Sequence, residues 1–316
     1  MEQELANEII ACLPGERTIF HYCKDRYAPM LLKHFVGSGM DIGAVKRSHM
    51  AGLINKPTIR EFLSSLGNGI LTAEKLNNFW IDDVYSFVLT LSQWGGKKPD
   101  WNQTTRKGYN LVLQLNFSNR HDTAYKRLAK PNFTRALNYW GHPVFSKTNA
   151  SYFRETLAWA RIDLDFVTGE ALIEEIQSDW VRIGNYVLNI AKRYKQCGKL
   201  EFDRWNIRGQ VDDVIEYCEK VLKPYQAIWS EAMLAATVEF IKTELGIDMI
   251  YYHSFNTGCR LKKTGEKSPP KSIYDKLPRK FCFTKTYYEP KFLNNDKYFS
   301  RNYRKIWYPE WFTLRI

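Results

Sequence analysis

The sequence TLAWARIDLDFVTGEALIEEIQ, residues 156–177, decides how the rest of this chain folds. Apolar and polar residues alternate through both halves, and Thr168 with Gly169 stands between them, which is typical of two antiparallel strands joined by a two-residue turn. In the register that this turn sets, Ile162 lies opposite Glu175. The sequence therefore predicts a β-hairpin, in which a slip of one residue would move every side chain to the other face.

Helical periodicity dominates the chain after the hairpin. Apolar residues recur at helical spacing over residues 180–196 and again over 210–222. Pro224 suits the first turn of a third helix, which is expected to stop at Gly246. The sequence IDMIYYHSF at 247–255 follows and predicts a core strand.

The chain before the hairpin contains two kinds of pattern. Helical spacing is found in residues 27–36, 59–66 and 84–91, whereas Leu111 to Phe117 alternates as a strand does. Between them, GGKKPDW at 95–101 breaks the helical pattern.

The expected fold class is therefore α+β. Residues 1–96 are predicted to form a helical lobe, with a boundary near Lys97. Residues 97–316 are predicted to form a core domain with a mixed, mainly antiparallel sheet flanked by helices, ending in a basic aromatic C-terminal tail.

Composition indicates a globular chain of 316 residues with 44% hydrophobic residues. No stretch approaches the roughly 18 uncharged apolar residues of a spanning helix, and three acids in the first eight residues are unlike a signal peptide. The six cysteines show no CxxC or zinc-ligand spacing, which favours reduced thiols. We expect a cytoplasmic protein with no membrane partner and no metal; its oligomeric state is left open.

The positive charge is concentrated in two parts of the chain. Residues 260–316 contain fifteen Lys or Arg against five Asp or Glu, and residues 97–135 contain nine against two. Residues 163–248 are acidic instead, with sixteen acids against ten bases. An acidic centre flanked by basic surfaces is the pattern expected for gripping a phosphate backbone, so DNA, single-stranded or with a flipped base, is the expected partner. The alternative is a solvated basic surface.

Glu175 is the first candidate catalytic residue. In the predicted register it shares a face with Ala160, Ile162 and Leu164, where desolvation would raise its pKa and suit it to proton transfer. The alternative is a buried glutamate paired with an arginine for structure.

Two further catalytic candidates follow Glu175. Gln177 lies roughly 6.6 Å along the same predicted face and could hold a substrate or a water molecule. Asp179 stands with Ser178 where the next helix begins, so its alternative role is the helix cap. Glu174, on the opposite predicted face, is expected to pair with Arg161 at the surface.

Candidate substrate-binding residues lie at the ends of predicted strands. His253 closes the strand IDMIYYH and is followed by Asn256 and Thr257. Asn116 and His121 belong to NFSNRHD at 116–122, which ends the predicted strand of Leu111 to Phe117. The alternatives are a structural histidine and a polar turn.

The C-terminal segment interleaves aromatic and basic residues. Aromatic faces stack on unpaired bases while cations track phosphates, so this mixture suits single-stranded or flipped-base DNA. The alternative is a segment whose rings pack on the core. The candidate nucleic-acid-binding residues are Lys262, Lys263, Arg279, Lys280, Arg301, Arg304, Lys305 and Trp307.

The motif EEIQSDW at 174–180 resembles a module near the C-terminal end of the large polyvalent proteins of phages and conjugative elements. The resemblance extends to LAWARIDLD at 157–165, LGIDMIYY at 245–252, Thr257 with Gly258, and YDKLP at 274–278. Val181 with Arg182, and about forty residues of extra helix, depart from that pattern. The resemblance implies a place in the conflict between phages, mobile elements and bacteria.

The order of hairpin, helix, strand and helix is also similar to an acetyltransferase of the GNAT type. That fold has a glycine-rich pyrophosphate loop before its long helix, but here the sequence reads VLKPYQAIW.

Of the reaction classes considered, we expect a DNA glycosylase that excises a base, including a modified phage base. A carboxylate such as Glu175 or Asp179 would stabilise the oxocarbenium-like state, and Gln177, Asn256 and Trp180 would contact the flipped base. No cofactor is expected, because GxGxxG and GxxxxGK[ST] are absent; GxSxG and HExxH are absent as well. The alternatives are an acyltransferase with a degenerate cofactor loop and a non-catalytic nucleic-acid-binding accessory protein.

Overall fold

A computed structural model describes residues 1–12, 18–67, 69–81, 83–133, 135–145, 155–265 and 269–316. The fold is α+β, with a large mixed sheet flanked by helices, which confirms the predicted fold class. In these ranges, no helix is long and apolar enough to cross a membrane.

The helices are α1 (Gln3–Cys12), α2 (Tyr27–Val36), α3 (Ile42–Lys46), α4 (Ala51–Ile54), α5 (Pro57–Ser64), α6 (Ala73–Asn77), α7 (Pro99–Asn102), α8 (Asn119–Leu128), α9 (Asp179–Gln196), α10 (Val211–Glu216), α11 (Lys223–Thr243), α12 (Phe255–Leu261), α13 (Lys271–Lys280) and α14 (Lys297–Tyr303). The strands are β1 (Thr18–Tyr22), β2 (Met40–Asp41), β3 (Ile70–Leu71), β4 (Tyr85–Gly96), β5 (Gly108–Asn116), β6 (Thr156–Asp165), β7 (Glu170–Gln177), β8 (Glu201–Arg204), β9 (Ile207–Gln210), β10 (Met249–His253), β11 (Thr284–Thr286) and β12 (Trp311–Arg315).

The main sheet has the strand order β1-β4-β5-β6-β7-β10-β12-β11. The β7–β10 pair is parallel, and the other pairs between these strands are antiparallel. A parallel pair needs a long crossover connection, and the helices from α9 to α11 supply it. As a result, β7 and β10 end at the same edge of the sheet.

The predicted hairpin is confirmed as β6 and β7, but its predicted register is wrong. The connection has four residues, so Asp165 pairs with Glu170, and Arg161 pairs with Glu175. The pairing shifts by one residue between Arg161 and Ile162, which leaves Glu174 as the extra residue of a β-bulge in β7. Glu175 therefore lies on the polar face of the hairpin, beside Arg161.

The N-terminal prediction is confirmed for two helices and wrong for the third segment. Residues 27–36 form α2 and α5 covers most of 59–66, but residues 84–91 belong to β4. The aromatic and β-branched side chains of β4 suit a strand that pairs along its length with β5. Lys97 lies in the connection between these two strands; the division into two domains stays a prediction.

The three helices predicted after the hairpin are confirmed, and α9 and α11 pack against β6 of the main sheet. A π-helical turn, Tyr217–Leu222, joins α10 to α11 without a break in the helix. Gly184 permits α9 to approach this turn, because a Cβ at that position would clash with Leu222 Cδ2. The predicted core strand is confirmed as β10.

The C-terminal segment is part of the core, which corrects its interpretation as a tail. Strand β12 lies between β10 and β11 and pairs with both. The side chains of Trp311, Phe312 and Leu314 are buried in it. Strand β12 is therefore an interior strand of the main sheet, and β11 forms the edge beside it.

We expect a chain truncated after Asn294 to lose its cooperative fold. Each buried large apolar side chain of the removed segment contributes about 1.5–3 kcal/mol, and the loss of Trp311, Phe312, Leu314 and Phe299 approaches the roughly 5–15 kcal/mol by which domains are stable. Thermal unfolding followed by circular dichroism measures this. A soluble truncated chain that melts like the full chain would contradict the role of β12.

Candidate active site at the end of strand β7

The motif Glu174 to Trp180 crosses from the end of β7 into the first turn of α9. Ser178 is the N-cap of this helix, because its Oγ accepts a hydrogen bond from the amide of Val181. The alternative role predicted for Asp179 is the helix cap, but the cap is Ser178. The Asp179 side chain is left to bind other partners.

Asp179 forms a dyad with His142. The Asp179 side chain is fully buried, and its Oδ2 lies 2.5 Å from His142 Nδ1. Oδ2 also accepts from the amide of Tyr139 at 3.1 Å, while Oδ1 accepts from Gln177 at 2.8 Å and from Arg182 at 2.9 Å. The carboxylate is thus held by four donors, and its orientation is determined by them.

The environment keeps Asp179 ionised. Burial alone would raise the pKa of this carboxyl, but the hydrogen bonds and charge of its partners, His142 first, lower the pKa below its usual value. An ionised carboxylate on Nδ1 selects the tautomer in which Nδ1 carries the proton. Nε2 of His142, whose side chain is 29% exposed, is then free to accept a proton.

Aromatic side chains line the surface beside His142. The Tyr139 ring lies 5.7 Å from the imidazole and 6.2 Å from the Trp205 ring, and Trp205 in turn lies 5.6 Å from Tyr186. The guanidinium of Arg182 stacks over Tyr139 at 4.6 Å. These four residues, Tyr139, Trp205, Tyr186 and Arg182, are called the aromatic wall; all are partly or largely exposed.

The turn between β8 and β9 presents Trp205 to the wall. Trp205 and Asn206 both have positive φ, the backbone conformation of a tight two-residue hairpin. The amide of Asn132 donates to the carbonyl of Asn206 at 2.9 Å and so ties this hairpin to the segment that leads to Tyr139.

The two glutamates of the motif are buried in a charged network. Glu174 accepts from the amide and hydroxyl of Thr105, at 3.0 and 2.7 Å, and lies 3.2 Å from His253 Nε2. Glu175 forms an ion pair with Arg161, and Lys262 Nζ lies 3.9 Å away. This network occupies the face of the sheet covered by the segment between β4 and β5.

Two sequence predictions about these glutamates are wrong. Glu174 is fully buried rather than paired with Arg161 at the surface. For Glu175, burial would raise the pKa, but the charges of Arg161 and Lys262 lower it overall. The alternative stated for Glu175, a buried carboxylate paired with an arginine, matches the observed geometry.

The buried network makes stability depend on acid pH. Burial would raise the pKa of Glu174, but the hydrogen bond and charge of His253 and the charge of Lys262 lower it to about 2, from a usual 4.5. The ionised form stabilises the fold above pH 4.5, and we expect roughly 3 kcal/mol to be lost as pH falls from about 4.5 to about 2. Denaturant unfolding across this range measures it; Glu174→Gln should flatten this part of the curve, and an unchanged slope would contradict the assignment.

Four predicted substrate-binding residues have structural partners. Trp180 Nε1 donates to Tyr217 Oη at 2.8 Å, and His121 lies 3.0 Å from the same hydroxyl. Asn116 bonds Thr90, Val88 and Thr156 across β4, β5 and β6. His253 is fully buried beside Thr105 and Glu174. Their predicted contact with substrate stays a prediction.

The last two predicted substrate-binding residues lie in the first turn of α12. Asn256 is exposed, while Thr257 is buried and its hydroxyl accepts from the amide of Glu310 at 2.9 Å. The next residue is Gly258, and a larger residue would not fit there because its Cβ would lie 2.9 Å from His253 Cβ. The Thr-Gly pair therefore packs α12 against β10.

The predicted nucleic-acid-binding residues divide into two groups. Lys262 is buried and donates to the carbonyl of Glu174 at 2.8 Å, which corrects its interpretation as a surface cation. Lys280 is partly buried and forms an ion pair with Glu231. The others are exposed: Lys263, Arg279, Arg301, Arg304, Lys305 and Trp307.

Sequence reasoning missed His142 and most of the aromatic wall. His142 lies 37 residues before Asp179, in a segment that follows no periodic pattern. The available signal was the local sequence NYWGHP at 138–143, in which aromatic residues flank a histidine outside any predicted strand or helix. Trp205 had a comparable signal, WN between two short polar strands.

Comparison with protein-family models, with curated proteins and with solved structures gives no match for this chain. The function is therefore inferred from the geometry of the site.

Proposed function

We propose that this protein is an enzyme acting on DNA, in which His142 is the general base. The observation that carries the proposal is the dyad itself, a partly exposed imidazole held through Nδ1 by a buried, ionised Asp179. An imidazole so oriented presents Nε2 as a proton acceptor, and the carboxylate stabilises the imidazolium that forms.

The aromatic wall suits the binding of a planar substrate. A nucleobase taken out of its stack binds between aromatic side chains, and the Arg182 guanidinium over Tyr139 adds a cation that suits a nearby phosphate. Gln177 Nε2 lies 3.4 Å from His142 Nδ1 and donates a hydrogen bond to Asp179 Oδ1. We therefore assign Gln177 to positioning the dyad.

The reaction we propose is hydrolysis of an N-glycosidic bond. His142 Nε2 accepts a proton from water, the oxygen attacks C1′ of the sugar, and the C1′–N bond breaks with its electron pair going to the base, which then takes up a proton. Asp179 is occupied by four donors, so it orients His142 and does not contact the sugar. Glu175, buried against Arg161, has no step in this reaction.

Acyl transfer is the second candidate. A histidine base can equally activate the amine or hydroxyl that accepts an acyl group, and β7 and β10 form a parallel pair beside α9. Against it, the segment where the GNAT fold binds a cofactor pyrophosphate reads VLKPYQAIW, without glycine, and a π-helical turn continues directly into α11 there, so no free helix N-terminus is left in this segment for the phosphates. The third candidate function is that of a non-catalytic, DNA-binding accessory protein. We place the protein in the cytoplasm, in the conflict between phages and bacteria that its motif implies.

The test incubates the purified chain with single- and double-stranded DNA, unmodified and carrying phage base modifications. Alkali-labile sites are then scored, and released bases are identified by mass spectrometry. We expect free base and abasic sites from at least one DNA.

The other outcomes select the alternatives. A raised melting temperature with acetyl-CoA and no base release would favour acyl transfer. Salt-dependent DNA binding without any product would favour the accessory protein. Neither binding nor product with any DNA would reject a DNA-acting function.

A further inference from the structure

Four aromatic side chains are exposed at the edge of the sheet formed by β11 and β12. Tyr287 and Tyr288 follow β11, and Trp307 and Tyr308 precede β12; all four are between 66% and 80% exposed. The rings of Trp307 and Tyr308 lie 5.7 Å apart. Because Thr286 pairs with Trp311, the residues just beyond this pair lie at the same end of the two strands.

Two basic residues precede Trp307 and Tyr308 in the chain. Arg304 and Lys305 are exposed and make no ion pair within the described ranges. Of the nearby carboxylates, Glu310 forms an ion pair with Lys285 at 2.7 Å, whereas Glu289 accepts a hydrogen bond from the Tyr303 hydroxyl at 3.0 Å and keeps its charge. The aromatic-basic surface, defined as Tyr287, Tyr288, Arg304, Lys305, Trp307 and Tyr308, is therefore positively charged.

The sheet topology places this surface at the same end as the His142 site. Strands β7 and β10 are parallel, and β12 runs antiparallel to β10, so the start of β12 adjoins the end of β10. The end of β11 adjoins the start of β12 in turn. From β7 to β11 there are three strand spacings, about 14 Å.

We propose that single-stranded nucleic acid binds the aromatic-basic surface and runs along this end of the sheet to the His142 site. Exposed rings stack on unpaired bases of any sequence, and the cations hold the backbone. A paired duplex buries its base faces, so it cannot use the rings. This inference rests on the proposed function for its direction toward His142, but binding at the surface is tested separately.

The experiment measures binding of a fluorescent single-stranded oligonucleotide by anisotropy, over a series of salt concentrations. We expect Trp307→Ala with Tyr308→Ala to weaken binding about 5- to 100-fold. Arg304→Ala with Lys305→Ala should reduce the slope of log K against log salt by about 1.4, because each backbone contact to a single strand contributes about 0.7.

The matched controls lie at the opposite end of the sheet, in the connection between β4 and β5. Trp101 is 84% exposed, and Lys97 and Lys98 are exposed as well. Trp101→Ala, and Lys97→Ala with Lys98→Ala, should leave affinity and salt slope as in the unmodified chain. All variants should melt as the unmodified chain does, since the substituted side chains are exposed.

The outcomes separate the two proposals. If the surface variants lose single-strand binding and no DNA yields product, the surface is supported and the proposed function fails. If base release persists while these variants bind as the unmodified chain does, the surface proposal fails alone. Tighter binding to duplex DNA, to polyglutamate or to anionic lipid vesicles than to single strands would also overturn the surface proposal.

Discussion

Arg161→Met is expected to lower the free energy of unfolding by about 3–5 kcal/mol. The substitution leaves Glu175 buried with only the more distant Lys262, and breaking a buried ion pair by removing one partner has this effect. It also removes the donors to the carbonyls of Asn102 and Gln103, at 2.7 and 3.1 Å. Chemical denaturation followed by tryptophan fluorescence measures the change.

The control is an arginine–carboxylate pair at the surface. Arg208 and Asp203 lie 3.3 Å apart with both side chains largely exposed, so Arg208→Met should change stability by less than about 1 kcal/mol. The double variant Arg161→Met with Glu175→Leu should recover much of the loss, since apolar pairs replace buried ion pairs well. Equal effects of Arg161→Met and Arg208→Met would show that the buried network does not hold the fold.

His142→Gly is expected to lower base release by about 10²- to 10⁴-fold in a chain that still unfolds cooperatively, with a lower melting temperature because the buried Asp179 loses its nearest partner. A positioned general base contributes this range to the rate, and His142 is a partly exposed side chain outside the core. Free imidazole added to the variant should restore part of the activity. Rescue of this kind is not expected from a histidine that only supports the structure.

Asp179→Asn tests the other half of the dyad. The amide can no longer accept every donor that now binds the carboxylate, and the tautomer of His142 is no longer selected, so activity should fall by about 10²-fold or more. His21→Ala, an exposed histidine bonded to Ser86 elsewhere, is the matched control and should retain activity. Full activity in His142→Gly would remove the dyad from the mechanism.

Local patterns in the sequence were sufficient for most individual elements. The hairpin of 156–177, the helices from Asp179 to Thr243 and strand β10 all follow from apolar spacing and turn residues within a short window. These features depend on backbone preferences and on which face of a segment is apolar, and both are determined by residues close together in the sequence. The same reasoning failed at 84–91, because a short apolar run suits a helix and a strand equally until pairing with β5 decides.

The roles of the two glutamates required the tertiary structure. One bulged residue in β7 and a turn two residues longer than expected move Glu175 onto the face of Arg161 and leave Glu174 to His253 and Thr105. A register is a property of two strands together and of what each face buries, so a single residue of insertion reverses it. The sequence alone could identify two neighbouring carboxylates but not their partners.

By itself, the sequence determined the α+β class, the hairpin with its following helices, and the motif at whose end the candidate site lies. Only the tertiary structure decided that His142 meets Asp179, that Trp205 and Tyr139 form a wall beside them, and that the last strand belongs to the core. The physical reason is that helix and strand preferences act between near neighbours in the chain. Ion pairs, ring contacts and strand order depend instead on residues that come together only after the chain has packed.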